Sequence, residues 1–219
     1  MHPWLPFLSL YEDTTPHAAA LNMAIDEALL EVIRAPLLRV YRWRSPAVSF
    51  GYFEHWAPVR DAHPGRDAVR RWTGGGVVPH GGDFTYSLLI PRDAVAPGTP
   101  GESYCAIHRA LRGALAEAGI HALEAAVPAA PRSHACFENP VRHDVLVAGR
   151  KVAGAAQRRT RAGLLHQGSV QGVDLPEGFP TTLAGRLAAV VRAETWDVTD
   201  PAEELAAWKY GSRAWLERW

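Results

Sequence analysis

Glycines and arginines are concentrated between residues 70 and 87, where five of the nineteen glycines accompany Arg70, Arg71 and His80. Three of them are consecutive, Gly74 to Gly76, and we call these residues the glycine loop. Such a run permits backbone angles closed to other residues and lets a ligand approach bare peptide N–H groups. An arginine beside it can direct a guanidinium at a carboxylate or phosphate. The stretch therefore predicts a site for an anionic or carbonyl-bearing ligand.

Lys151 is a second candidate for chemistry. It follows a Gly149-Arg150 turn and precedes a run of small residues, Ala153 to Ala156. Small side chains in a strand leave an open groove, and a lysine at its rim can bind a carboxylate or carbonyl oxygen as a point charge. The alternative is a solvated turn lysine without a chemical role, and the spacing alone leaves both interpretations open.

Cys136 is the third candidate, in a predicted loop that also carries His134, Glu138 and His143. Nearby cationic groups lower the pKa of a thiol, and the thiolate is a nucleophile in acyl transfer. A half-buried structural cysteine is the alternative, and the residues alone do not decide between the two.

The predicted elements that must position these residues are helices alternating along the chain with antiparallel hairpins. The apolar spacing predicts a first helix over residues 16–34, begun by Thr15 and Pro16, whose polar residues Asn22, Asp26 and Glu27 face water or cap neighbours. Further helices are predicted over residues 102–118, 183–193, 201–208 and 212–219.

Strand patterns occupy most of the remaining chain. They cover residues 37–43, 47–53, 67–72 and 84–90, followed by a meander of three strands at 144–148, 151–159 and 164–171. Because repeated βαβ units are missing from this pattern, we predict an α+β fold with a mixed, largely antiparallel sheet flanked by helices.

Composition limits the classes of function. Lys plus Arg equals Asp plus Glu at 23 each, so no net field attracts nucleic acid or a membrane surface. No signal peptide or membrane span is recognisable, and two cysteines suit a reducing cytoplasm, which we predict as the location. The ten histidines lack the paired spacing of a zinc site, so no metal site is predicted.

Several separated motifs occur in the order found in a known family. Residues 70–80 (RRWTGGGVVPH), 144–157 (DVLVAGRKVAGAAQ) and 165–170 (LHQGSV) resemble the lipoate–protein ligase and octanoyltransferase branch of the biotin/lipoate ligase superfamily. Residues 22–27 and 41–52 resemble its first helix and the strands after it. The resemblance covers about residues 20–175 of one predicted catalytic domain, residues 1–219, whose residues 176–219 form a helical C-terminal part.

The resemblance implies a fold and a site. The fold is the α+β catalytic domain of that superfamily, and Lys151 is its essential lysine, which holds the acyl carbonyl or carboxylate. The residues expected to bind the acyl group or its adenylate are Arg71, Thr73, Gly74, Gly75, Gly76, His80, Gly154 and Ala155.

Two branches of the family differ in chemistry, and the motifs point both ways. Octanoyltransferases of one class use a cysteine, and Ala135-Cys136-Phe137 precedes the lysine segment as in that class, whereas Gly76 is more similar to the ligases. The chain ends soon after the catalytic region, without the extra C-terminal domain of many ligases. On balance we expect transfer through Cys136.

Each branch implies its own partners. The transferase takes octanoate from acyl carrier protein through a Cys136 thioester and passes it to a lysine of a lipoyl domain, either glycine cleavage H protein or 2-oxoacid dehydrogenase E2, without a cofactor. The ligase alternative uses ATP and Mg and needs no cysteine. A third hypothesis is a non-catalytic module that binds lipoyl domains or an acyl acid, because His166 and Gln167 stand in the reverse of the expected order.

Overall fold

A computed structural model of the chain describes residues 3–94, 98–126 and 140–218. Its strands are β1 Leu5–His17, β2 Leu37–Trp43, β3 Ala47–Phe50, β4 Asp67–Arg70, β5 Val78–His80, β6 Phe84–Pro91, β7 Leu123–Glu124, β8 Val145–Val147, β9 Arg150–Arg159, β10 Gly163–Val170 and β11 Ala188–Ala193. Its helices are α1 Ala19–Val32, α2 Trp56–Ala62, α3 Pro100–Glu117, α4 Phe179–Leu187, α5 Thr199–Leu205 and α6 Arg213–Leu216.

The strands form two mixed sheets. Eight of them follow the order β11-β1-β2-β6-β10-β9-β8-β7, in which β1 runs parallel to β11 and to β2 and the other neighbours are antiparallel. The small sheet has β3 at its centre, parallel to β4 and antiparallel to β5. The predicted mixed, largely antiparallel α+β architecture is confirmed, and so is the β8-β9-β10 meander.

Strand β6 shows how the large sheet separates two apolar cores. Leu88 and Ile90 pack on one side with the buried faces of α3 and α4, whereas Leu89 packs on the other side against α1. Successive side chains of a strand point to opposite faces, so a fully apolar run is what a strand covered on both faces requires. Each core contributes the hydrophobic burial that fixes its helices to the sheet.

Two predicted helices differ from the structure at their ends. The first strand, β1, was not predicted, and it continues through Thr15 and Pro16, so the predicted helix start is wrong. The predicted helix 183–193 is wrong in its second half, because α4 ends at Leu187 and the chain turns directly into β11 beside β1. In both cases pairing with a strand distant in sequence overrides the local helical spacing.

Two of the three polar residues singled out on α1 are buried, so the prediction that they face water is wrong for Asn22 and Asp26, whereas Glu27 is half-buried. Asn22 and Asp26 have no exposed surface. The helix has no side-chain cap of its own at Ala18, and the Asp67 carboxylate at the start of β4 accepts the Ala19 N–H at 2.8 Å instead. A long-range contact therefore satisfies the helix terminus.

Arg39 on β2 explains why these polar groups are inside. Its fully buried guanidinium donates to Asp13 on β1, to Asp26 and to both oxygens of Asn22, at distances of 2.7–3.1 Å. All five of its N–H groups are thereby used. A buried charge needs such complete pairing, and here the pairing joins the first helix to the first two strands.

None of the described helices combines the length and the apolar character needed to cross a membrane.

Acid is expected to destabilise the fold through His108 on α3. This imidazole is 1% exposed, and burial lowers its pKa from 6.5 to about 4. Because the unfolded chain binds the proton more readily, stability is full above pH 6.5 and falls as the pH drops toward 4. The shift corresponds to about 3 kcal/mol. Burial also lowers the pKa of His166, which adds to the same trend.

Urea unfolding at pH 7 and pH 5 measures this loss. We expect His108→Gln to lose less stability between the two pH values than the wild type, since glutamine cannot take up the proton. The exposed His121 provides the matched control, and His121→Gln should keep the wild-type difference. An unchanged pH difference in His108→Gln would contradict the assignment.

Candidate active site

A cavity of about 410 Å³ lies between the two sheets. Helix α1 contributes Met23, and strands of both sheets and the glycine loop supply the remaining walls, namely Tyr41, Trp43, Ser49, Arg71, Gly75, Val78, His80, Thr85, Gly154, Ala155, Ala156, Gln167, Gly168 and Ser169. An apolar wall with a few convergent polar groups is typical of pockets that hold small ligands.

Small residues on two paired strands create the space in this cavity. Ala155 and Gly168 lie opposite one another in the β9-β10 ladder, and Gly154 lies opposite Ser169. On the opposite face of β10, a methyl group added to Gly168 would approach the Tyr86 ring to 2.4 Å, so a side chain at this position is excluded. The groove predicted from the run of small residues is present in the structure.

The glycine loop lies against the turn that follows β3. Gly75 has a positive φ of 83°, and a Cβ on Gly51 would stand 1.8 Å from the Gly75 carbonyl oxygen. Both positions therefore require glycine. Arg71 donates through Nη2 to the carbonyls of Gly74 and Gly76 at 3.0 and 2.8 Å, which sets the shape of the loop from inside.

A chain of hydrogen bonds connects the loop to the Arg39 cluster. The Thr73 hydroxyl donates to Gln167 Oε1 at 2.7 Å, and Gln167 Nε2 donates to Asp26 Oδ2 at 2.8 Å. Asp26 in turn accepts from Arg39. Gln167 is thus held at both ends of its amide, which fixes one wall of the cavity.

His80 is held as a neutral imidazole in one orientation. Burial lowers its pKa below 6.5, although the Asp83 carboxylate opposes this change. Asp83 accepts from Nδ1 at 2.7 Å, while Nε2 lies 2.6 Å from Ser49 Oγ, which accepts from Arg71. Arg71, Ser49, His80 and Asp83 therefore form a continuous hydrogen-bonded row, with the His80 proton on Nδ1.

Burial alone would raise the pKa of the Asp83 carboxyl, but hydrogen bonds from His80, Ser169 and Thr85 together lower it below its usual range. A charged carboxylate at this position holds the row together at neutral pH.

Lys151 is buried rather than solvated, with a side chain that is 2% exposed. Its Nζ lies 2.7 Å from Oδ2 of the fully buried Asp144. A Cβ built on Gly154 would come within 2.7 Å of that same Nζ, so the ammonium group lies directly against the cavity wall. Tyr104 on α3 donates to Asp144 Oδ1 at 2.5 Å and fixes the carboxylate from behind.

The predicted binding residues are largely brought together. Five of them line the cavity: Arg71, Gly75, His80, Gly154 and Ala155. Thr73, Gly74 and Gly76 stand just behind this wall, where they bond to Gln167 and Arg71. Their roles in binding stay predictions. Cys136 lies outside the described residues.

Two residues of the predicted site segments point elsewhere. At least one of the adjacent Arg70 and Arg71 was expected to reach a ligand. Arg70 does not, because it is fully buried and donates to backbone carbonyls, among them those of Trp215 and Leu216. His166 lies on the far side of β10, where its Nδ1 is 2.9 Å from the side-chain amide of Gln157. Gln167, its neighbour, faces the cavity because consecutive strand residues alternate between faces.

Several wall residues were not predicted from the sequence, including Tyr41, Trp43 and Ser49. Trp43 stacks on His80 with ring centroids 4.1 Å apart and donates to Thr85 at 2.9 Å. Alternation along β10 could have indicated Gln167, since it shares a face with Leu165. The small sheet that brings Ser49 to the cavity had no such signal, because its pairings are between distant short strands.

Among the described residues, Cys105, Glu124 and His143 approach one another, with donor atoms within 4.8 Å. Two arginines already compensate the charge of this group. Arg109 lies 3.4 Å from the Cys105 sulfur, and Arg112 lies 3.7 Å from Glu124. The prediction of no metal site stays a prediction.

Comparison with protein families gives a match over most of the chain. The family described as lipoyl protein ligase A/B catalytic domain matches residues 18–174. An octanoyltransferase LipM from Symbiobacterium thermophilum is 35% identical, over 90% of this chain and 79% of the relative. An octanoyltransferase LipM from Oceanobacillus iheyensis is 36% identical, over 72% of this chain. The match spans 62% of that second relative, which is less than two thirds of its length.

Solved structures have the same fold. A lipoate-protein ligase A bound with ATP superposes with a TM-score of 0.76 and 21% identity over 99% of both chains. A bipartite lipoate protein ligase from Thermoplasma acidophilum, described with its E2 lipoyl domain, gives 0.72 and 19% over 97% of this chain and 96% of that one. At these identities the likeness concerns the fold.

A double-mutant cycle on Asp144 and Lys151 tests the buried ion pair. Asp144→Asn removes the carboxylate from a buried ammonium and should destabilise the protein by about 3 kcal/mol. In the double variant with Lys151→Met the loss should be clearly smaller than the sum of the two single losses. Urea unfolding measures all four proteins. The exposed pair Arg60 and Asp61 is the matched control and should show no measurable coupling. Additive losses at Asp144 and Lys151 would contradict the pairing.

Proposed function

Because the chain belongs to the lipoyl protein ligase A/B catalytic domain family, we propose that it transfers an octanoyl group to a lysine of a lipoyl domain through a Cys136 thioester. The structural observation that carries the proposal is a buried ammonium, Lys151, against the wall of a cavity lined by small and apolar groups. The names of the 35–36% identical relatives support octanoate as the acyl group. A neighbour described with its E2 lipoyl domain supports a lipoyl domain as the acceptor.

The reaction proceeds in two acyl transfers. The Cys136 thiolate attacks the carbonyl of an octanoyl thioester, for which acyl carrier protein is the proposed donor, and the donor thiol leaves with a proton. The neutral ε-amine of the lipoyl-domain lysine then attacks the Cys136 thioester. An amide forms, the attacking nitrogen releases one proton, which balances the proton taken up by the donor thiol, and the Cys136 thiolate is restored. Conversion of a thioester into an amide supplies the driving force, so this reaction needs no ATP.

The chain's own groups contribute position and charge. In this proposal Lys151 stabilises the negative charge that develops on the acyl oxygen, with Asp144 setting the direction of its ammonium. The small residues Gly154 and Ala156 on the cavity face of β9 leave room for the acyl chain, and Ala155 lines the cavity between them. Arg71 and the neutral His80 hold the opposite wall, and the fixed hydrogen-bonded row keeps this wall from rearranging when a ligand enters.

Intact-mass spectrometry after incubation with octanoyl-carrier protein tests the cysteine step. We expect one octanoyl adduct, located on Cys136 by peptide mapping, and no adduct in Cys136→Ala. Cys105→Ala is the matched control and should form the adduct normally. Lys151→Met should lower transfer to an apo lipoyl domain by about 100-fold, the scale on which the loss of one charge-stabilising group acts.

Full transfer by Cys136→Ala would overturn the proposal, and release of pyrophosphate from lipoate and ATP would favour the ligase alternative. In that alternative ATP and Mg would be required. The same assay with apo H protein and apo E2 lipoyl domain identifies the acceptor. Unchanged turnover in Lys151→Met would remove the role of the lysine.

Gly154 should determine whether Lys151 reaches the acyl group. In Gly154→Ala the added methyl group would lie 2.4 Å from Lys151 Cε, so the flexible lysine moves and the fold is retained. A displacement of this size should lower kcat/KM roughly 10- to 100-fold. Gly185→Ala, where a methyl group meets no atom within 4 Å, is the control and should keep wild-type kinetics. Equal kinetics for both variants would contradict this role of Gly154.

A further inference from the structure

Arg70, at the end of β4, is buried without exposed surface. Its guanidinium donates to backbone carbonyls on two sides. On one side are Tyr52 and Glu54, at 2.9 and 2.6 Å, and on the other are Trp215 and Leu216, at 2.9 and 2.8 Å. One side chain thus ties the turn after β3 to a segment about 145 residues later in the chain.

That later segment, residues 212–217, we call the C-terminal strap. It contains α6, whose first turn is capped by Ser212, which accepts the Trp215 N–H. The Trp215 indole returns a bond to Arg70 by donating from Nε1 to its carbonyl oxygen at 2.9 Å. The same indole meets the Tyr52 ring edge-on, with centroids 5.6 Å apart. Arg70 therefore donates hydrogen bonds to the strap and accepts one from it.

The turn held by Arg70 is the surface on which the glycine loop lies. The Tyr52 N–H donates to the Thr73 carbonyl at 2.9 Å. Gly51 approaches the Gly75 carbonyl so closely that a Cβ would stand 1.8 Å from it. The contacts thus run from the strap through Arg70 to the turn, and from the turn to the loop that forms one wall of the cavity.

We propose that the C-terminal strap positions the glycine loop, and that Arg70 is the positioning residue through which it does so. The strap lies outside residues 18–174, the part of the chain that the family match covers. Its effect on acyl binding rests on the proposed function, whereas its effect on the loop does not. Arg70 touches no cavity wall itself and acts through the turn.

Hydrogen exchange followed by mass spectrometry tests the positioning without any assay of transfer. The matched proteins are the full chain and a version that ends at Gly211. We expect the Tyr52 and Arg71 amides, which donate to Thr73 and Phe50, to exchange at least tenfold faster in the shortened protein. Amides of β6 and β10 should exchange as before. A folded shortened protein with unchanged exchange at Tyr52 and Arg71 would overturn the proposal.

Single substitutions keep the test decisive if the shortened protein fails to fold. Trp215→Phe removes the indole donor but keeps an aromatic ring, and it should raise exchange at the same two amides by at least threefold. Trp208→Phe, at a position that is 62% exposed, is the control and should not change exchange. Arg70→Lys should behave like Trp215→Phe, since a point charge cannot reproduce the guanidinium fork. Wild-type exchange in both Trp215→Phe and Arg70→Lys would overturn the proposal.

Kinetics then separate positioning from simple loss of folded protein. A merely structural role would lower the amount of active protein and leave KM unchanged. A loosened glycine loop should instead raise KM for the acyl donor at least fivefold in Trp215→Phe. In the shortened protein, adding a synthetic peptide of residues 212–219 should lower the raised KM again. Changed exchange without detectable transfer by the wild type would refute the proposed function while supporting the strap. Changed exchange with unchanged KM would refute the link to the site.

Discussion

The buried Arg39 cluster is the constraint on which most of the structure depends. One guanidinium, with all five N–H groups used, joins β1, α1 and β2, and its partner Asp26 also accepts from Ser87 on β6 and Gln167 on β10. A buried cation between two carboxylates tolerates little displacement, since any lost partner leaves an uncompensated charge. The cluster therefore sets the register of four strands and one helix at once, and through Gln167 it determines the position of one cavity wall.

The polar groups in and beside the cavity wall fall into two sets, and each set is oriented by different neighbours. Gln167, Arg71 and His80 are hydrogen-bonded in networks that reach α1 and the small sheet. Lys151, near the start of β9, is instead paired with Asp144, which accepts from Tyr104. The cavity thus has a rigid wall, and the Lys151 ammonium beside Gly154 is oriented by a separate set of partners. This division matches acyl transfer, in which the chain is held by shape and charge is needed only near the carbonyl.

Local patterns predicted what depends on local chemistry. The meander around Lys151, helix α3 and the glycine loop all follow from turn residues, capping and apolar spacing. The predictions that were wrong share a different cause. Strand β1, the second half of the helix predicted at 183–193, and the burial of Asn22 and Asp26 are decided by parallel pairing and by a charge on another strand. Arg70 could be recognised as important, but its partners lie about 145 residues away, beyond any spacing rule.

The base of the segment that carries Cys136 is closed by the residue that also pairs with Lys151, namely Asp144. Ala125 donates to the Asp144 carbonyl at 2.8 Å, His143 donates to the Ala125 carbonyl at 2.9 Å, and the Asp144 side chain accepts from Val141. The residues before and after this segment, Ala125 on one side and His143 and Asp144 on the other, are therefore hydrogen-bonded to each other whatever the number of residues between them. A change in the number of residues between these points need not move Lys151, because the entropic cost of closing a loop grows only slowly with its length.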